Sequence, residues 1–226
     1  MVVIMVMMVV VMVVFVGQLN TLIAPHCAAA RESGLSVSPA GVAKSRARGG
    51  IEMAAMMDFA RLSAVADRID RFNTAVGRAA AWAALFIVAV QFVVVILRYV
   101  FDIGSIWLTE SILYGHATLF MLAAAWTLGE GGHVRVDIFF ADAAPRTKAL
   151  IDLGGAILLL LPFMAVLLYF AVPYAARSWA ILEHSRETSG LPLVFVLKTL
   201  IPAFALLMAL QGISQAIRAA NALRAR

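Results

Sequence analysis

The chain has 226 residues, of which 63% are hydrophobic and only 14% charged, whereas soluble domains average about 45–50% apolar and about 25% charged. One soluble core cannot hide such an excess, and it fits a chain whose solvent is largely lipid. The formal charge of +5 does not mark a nucleic-acid surface, because the basic residues sit at the ends of apolar runs rather than on an aromatic-interleaved patch.

The first 57 residues stand apart. Met1 to Pro25 is uncharged and dominated by Val and Met, and an Ala-, Ser-, Gly- and Arg-rich stretch follows it. A secretory signal would carry a basic n-region, and no basic residue precedes Arg31. Two readings stand: an additional span with its N-terminus outside, or a start assigned too far upstream, with Met53, Met56 or Met57 as the real one. The single cysteine, Cys27, excludes an internal disulfide and any multi-cysteine metal site. The second part, 58–226, opens on an amphipathic pattern. Phe59, Leu62, Val65, Ile69, Phe72 and Val76 recur at three- and four-residue intervals, with Arg61, Asp67, Arg68, Asp70 and Arg71 between them. That spacing predicts a helix over 58–76 lying along the headgroups, or packed on a partner.

Four charge-free stretches follow: Ala79 to Leu97, Ser111 to Gly129, Leu153 to Ala176 and Thr199 to Ile217. Each has about the 19–20 residues that a helix needs to cross a hydrocarbon layer about 30 Å thick. The expected architecture is an all-α integral membrane fold, a bundle of four transmembrane helices behind an amphipathic interfacial helix. The spans lie near 79–101, 106–128, 148–175 and 192–217. Pro162, Pro173 and Pro202 fall inside spans, where neighbouring helices can satisfy the freed carbonyls. Arg61, Arg68, Arg71, Arg78, Arg135, Arg146, Lys148, Arg218, Arg224 and Arg226 fall on one side. Arg98, Arg177, Arg186 and Lys198 fall on the other, a bias of ten against four. The bias predicts a cytoplasmic C-terminus, although Arg98 and Lys198 can also snorkel from within helices.

Chemistry is sparse. Glu110 stands near the start of the second span with Trp107, Ser111, Tyr114 and Thr118 at helical spacings. It reads as an intersubunit contact, as an ion-pair partner for a residue such as Arg98, or as an interfacial charge reaching headgroups. His116 is the one histidine inside a span, so no pair of histidines at matched depth could hold a haem. No zinc spacing, phosphate loop or nucleophile elbow appears. His133 to Ile138 alternates polar and apolar residues, as in an extended or interfacial segment. Glu183 to Pro192 is a charged, turn-forming connection on the side opposite the C-terminus. No internal repeat marks a complete secondary transporter, which points to a subunit.

The runs Arg98-Tyr99-Val100-Phe101, Ser105-Ile106-Trp107-Leu108-Thr109-Glu110 and Gly132-His133-Val134-Arg135-Val136-Asp137 carry a resemblance. With Gly190-Leu191-Pro192, Lys198-Thr199-Leu200-Ile201-Pro202 and Leu210-Gln211-Gly212, this part of the chain resembles the small permease subunit of TRAP transporters, the DctQ type. The resemblance covers roughly residues 67 to 218. It implies a tripartite ATP-independent periplasmic transporter of a bacterial inner membrane, in which a periplasmic binding protein (DctP type) delivers an organic acid, often a carboxylate. It further implies a large permease subunit (DctM type) that holds the substrate and sodium sites, so this chain would need no cofactor of its own. The small subunit would be a scaffold for the large one and add to the periplasmic docking surface. Arg98, Trp107, Glu110, His133, Arg135 and Asp137 are then assembly positions rather than substrate ligands, and Lys198 joins them as a structural candidate. A small redox anchor of the cytochrome-b type is the competing function, and a stoichiometric haem absorbance band in the purified protein would select it.

Overall fold

The computed structural model describes residues 46–132 and 144–224, with side chains from residue 61 onward. The chain divides into two units, Met1–Ala55 and Met56–Arg226, and all that follows concerns the second. The expected segment 133–138, and with it His133, Arg135 and Asp137, lies outside the described residues, as does Met1 to Pro25.

Backbone groups in lipid have no water to bond, so long apolar runs satisfy them internally as helices. The order is α1 (Arg46–Val100), α2 (Ile106–Gly129), α3 (Pro145–Gly154), a π-helical segment (Gly155–Leu160), α4 (Leu161–Ala180) and α5 (Val194–Arg224). α3, the π segment and α4 form one continuous rod, and the described residues give four helices long and apolar enough to cross a membrane. The all-α, four-span expectation is met.

The separate amphipathic helix is not seen. Residues 58–76 are continuous with the first span in α1. The apolar stripe expected to lie on a surface or partner is largely open: Leu62, Val65 and Phe72 are exposed, while Ala66 and Asn73 are buried. The helix packs its small and polar face, not its greasy one, against the rest of the chain.

Each break between spans has a local cause. After α1, Asp102 takes a left-handed conformation (φ 55°), which short polar side chains tolerate. The Ile103 N–H then donates to Leu97 O (2.9 Å). Ser105 caps α2 by accepting from the Leu108 N–H (3.4 Å). α2 ends in a Schellman turn, with the Gly132 N–H donating to Thr127 O (2.9 Å) and the Gly131 N–H to Leu128 O (3.2 Å). Gly131 supplies the positive φ of 70° that this turn needs. The π segment sits just before Pro162. A proline here lacks its N–H and crowds the carbonyl four residues back. The chain accommodates it by widening one turn, and the Leu161 N–H reaches five residues back to Ala156 O.

The helices approach closely where side chains are small. The buried core is rich in alanine (Ala66, Ala84, Ala125, Ala171, Ala205), with Met164, Leu207 and Met208 between the helices. Without a hydrophobic drive in lipid, such close packing and interhelical hydrogen bonds hold a bundle together. α1 meets α2 at Gly77, where a Cβ would lie 2.5 Å from Trp126 Cβ, and at Gly115, where one would lie 2.8 Å from Ile87 Cγ1. α5 meets the π segment at Gly212, where a Cβ would lie 2.8 Å from Leu160 Cδ2. Trp126 Cβ is fixed to its backbone, whereas Leu160 Cδ2 is the end of a flexible chain. Gly77→Ala should therefore lower stability by about 1–3 kcal/mol and Gly212→Ala by less, read as unfolding midpoints of the two variants in one detergent. Equal midpoints would refute this account of the α1–α2 contact.

Candidate functional site

Two polar clusters sit at opposite ends of the bundle. The first is built around the α4–α5 connection. Glu110, on the first turns of α2, turns inward while Trp107, one turn before it, is 53% exposed. One Glu110 oxygen accepts from Ser185 Oγ (2.5 Å) and the other from the Leu191 N–H (2.5 Å). Ser185 in turn accepts from the Glu187 N–H (3.3 Å), and the Gly190 N–H donates to Glu187 O (3.0 Å). Gly190 has no room for a side chain, because a Cβ would lie 2.7 Å from Glu110 Oε1. The carboxylate thus sits in a small turn that it organises.

The same connection is held a second time. Glu183 accepts from Lys198 Nζ (2.5 Å) and from Ser178 Oγ (2.7 Å). Lys198 also stands 4.4 Å from the centre of the Tyr174 ring, a cation–π distance. The Trp179 indole N–H donates to Thr199 Oγ1 (2.8 Å), and its ring packs edge-on against Phe195 at 4.6 Å. The connection is therefore clamped to α2 by one carboxylate and to α5 by another. Its outer surface carries exposed Ile181, Leu182, His184, Arg186 and Glu187.

The Lys198 and Ser178 hydrogen bonds hold the Glu183 carboxyl below the usual glutamate range. A depressed folded carboxyl contributes stability that is complete above the ordinary glutamate range and is lost as pH falls through its lowered value. Proteolytic nicking of the connection should stay constant from neutral pH down to the ordinary glutamate range and accelerate below it. Glu183→Gln should abolish that acid-induced step. An identical step in the variant would assign it to another group.

The second cluster lies between α1 and α5. Asp70 accepts from Ser214 Oγ (2.6 Å), Gln211 Nε2 (3.0 Å) and Arg218 Nε (3.0 Å). Arg218 also reaches Asp67 Oδ1 (2.8 Å). Asn73 Nδ2 donates to Gln211 Oε1 (2.7 Å), and Gln215 Nε2 donates to Leu128 O (3.0 Å). Asn73, Ser178 and Ser214 are the largest fully buried side chains among the described residues. Sequence reasoning missed this cluster. Its signal is present: Gln211, Ser214 and Arg218 recur at three and four residues on α5, facing Asp70 and Asn73, three apart.

The structure redistributes the expected site residues. Glu110 and Lys198 converge on one connection, though each holds a different point of it. Arg98 is exposed and lines a small cleft with Val94, Leu97, Ile103 and Leu108. Glu110 is satisfied by Ser185 and Leu191, so an ion pair with Arg98 is replaced by hydrogen bonds to the connection. Among the described residues, no group of three or more His, Cys, Asp or Glu could hold a metal ion. The arrangement offers structural clamps and an outward-facing connection.

Residues 87–222 match the family model described as tripartite ATP-independent periplasmic transporters, DctQ component. No curated protein and no solved structure matches the chain.

Proposed function

The chain belongs to the DctQ family, the small permease component of the tripartite ATP-independent periplasmic transporters, and on that footing we propose that it is the scaffold subunit of a sodium-coupled importer of an organic acid. The observation that carries the scaffold reading is how little of each span is internal. Only 11–22% of the residues in the apolar windows are buried inside the chain. A substrate path needs polar groups enclosed by protein at mid-membrane. The buried polar residues here instead bind helix to helix. Substrate and sodium then belong to a large DctM-type subunit lying against part of the exposed apolar surface, and this chain carries no cofactor and catalyses no reaction.

In this reading the C-terminus is cytoplasmic and the membrane is the bacterial inner membrane, as the basic bias favours. The clamped α4–α5 connection then faces the periplasm, where a DctP-type binding protein arrives with its ligand. A surface held in place by two carboxylates loses little freedom on docking, which favours association. The test is uptake of a radiolabelled organic acid in cells expressing the large subunit and the binding protein, with and without this chain. Uptake should be lost without it and restored by supplying it in trans. Unchanged uptake, with the large subunit present at normal level, would refute the essential-scaffold reading.

A further inference from the structure

From residue 61 onward, the pre-span part of α1 carries four arginines, Arg61, Arg68, Arg71 and Arg78. At about 100° per residue they fall within an arc of roughly 100°. That arc lies opposite the face through which α1 packs on its neighbours, marked by buried Ala66, Asn73 and Gly77. Among the described side chains, α1 holds two carboxylates that could neutralise the stripe, but both are taken from the other side: Asp67 and Asp70 bond Arg218 of α5. Among the described residues, none of the four arginines has a carboxylate within ion-pair distance. The Arg71 guanidinium reaches only a backbone oxygen of its own helix, Asp67 O at 3.2 Å.

The stripe has a fixed height. Arg78 immediately precedes the charge-free run that begins at Ala79. One turn further along, on the same face, stands Trp82, 72% exposed, and after another turn Phe86, 48% exposed. Charge, then indole, then phenyl along one open face is the gradient from phosphate layer to hydrocarbon, and tryptophan settles at the boundary. Arg71 and Arg78 are about 10 Å apart along the axis, with small Thr74 and Ala75 between them. Two guanidiniums can then converge on one phosphate in the gap. Arg71 reaches back along the helix face to a headgroup layer about 5–8 Å thick, whereas Arg68 and Arg61 lie about 15 Å and about 25 Å from Arg78.

We propose that Arg71 and Arg78, beneath Trp82, form a binding site for the headgroup of an anionic phospholipid. Guanidinium pairs phosphate through two parallel N–H donors, which a zwitterionic headgroup satisfies less well because its own cation competes. A protein partner with an acidic helix is the other surface that could meet the stripe. It would engage all four arginines alike, since they share one face, whereas a lipid meets only the two at headgroup depth. The proposal does not depend on the transporter reading, because it needs only that α1 crosses a bilayer.

The test uses the full purified chain and native mass spectrometry of its complexes with phosphatidylglycerol and phosphatidylcholine. Each basic residue near an anionic surface is worth about fivefold in binding. The wild-type chain should therefore prefer phosphatidylglycerol by roughly tenfold or more. R71Q/R78Q should bring the two lipids close to parity, while R61Q/R68Q, with the same loss of charge, should keep the preference. R71K/R78K should retain part of it, and circular dichroism should show all variants equally helical. No preference in the wild type would overturn the site, as would equal loss in both glutamine pairs. Retained preference in R71Q/R78Q, with loss of a co-purifying acidic protein, would assign the stripe to that partner instead.

Discussion

Glu110→Ala should release the α4–α5 connection without unfolding the bundle. The carboxylate accepts one hydroxyl and one backbone N–H from that connection, and hydrogen bonds to charged groups contribute about 1.5–3 kcal/mol each. Alanine also orphans the Leu191 N–H, whose side chain is 8% exposed. Losing about 2 kcal/mol locally raises the open population roughly thirtyfold. Limited proteolysis between Ile181 and Leu193 should accelerate by about that factor, while the helical circular dichroism signal and global midpoint move little. Glu110→Gln should fall between, because an amide oxygen can still accept from Leu191 or Ser185 but without charge. In the proposed complex, the alanine variant should lower both uptake and recovery of the binding protein more than recovery of the large subunit. Unchanged proteolysis would show that Glu183 and Lys198 hold the connection unaided, and Glu110 would revert to an interfacial charge.

How far this site could be read from the sequence depends on the range of each contact. Glu110 stands out because an acid near the start of an apolar run is costly and therefore rare. Its partners do not stand out, because Ser185 and Leu191 lie 75 and 81 residues away and owe their position to a turn, not to a periodic pattern. Arg98 is the nearest cation in sequence, one of several alternatives for Glu110, yet the carboxylate bonds the connection. Arg98 lies on the exposed side of α1, and a turn containing left-handed Asp102 separates that helix from α2. Lys198 shows the same limit. Its place within an apolar helix suggests snorkelling, yet it meets Glu183, 15 residues earlier, across the connection.

The amphipathic pattern of residues 58–76 lies in one helix continuous with the first span, not in a separate one. Periodicity locates two faces of a helix but does not say which one meets protein. In water the apolar face is buried by default. Beside a bilayer, apolar side chains have lipid to face, and polar residues gain most from being enclosed where they can bond one another. Leu62, Val65 and Phe72 stay open, as contact with a surface outside this chain requires, and Asp70 and Asn73 turn toward α5. The four spans were legible because length and charge exclusion alone define them. The clamp between α1 and α5 was not, because it requires knowing that the first and last helices are neighbours.

That clamp gives the second large effect, at Asp70. Asp70→Ala removes the acceptor for Ser214 (0% exposed), Gln211 (3% exposed) and Arg218 at once. Interhelical hydrogen bonds in membranes average about 0.6 kcal/mol and reach about 1.7, so three contribute roughly 2–4 kcal/mol, counting the buried Gln211 amide left without its acceptor, while Ser214 keeps Ala66 O at 3.4 Å. Arg218→Met should cost less, because Asp70 keeps Ser214 and Gln211 and the Arg218 side chain is 55% exposed. Asp67→Ala should change stability by no more than about 1 kcal/mol, since both members of the Asp67–Arg218 pair are more than half exposed. The double variant Asp70→Ala/Arg218→Met should fall short of the sum, because the two residues share a bond. Unfolding of all four in one detergent, followed by helicity against denaturant, gives the ranking. If Asp67→Ala costs as much as Asp70→Ala, the exposed ion pair rather than the enclosed carboxylate joins the first helix to the last.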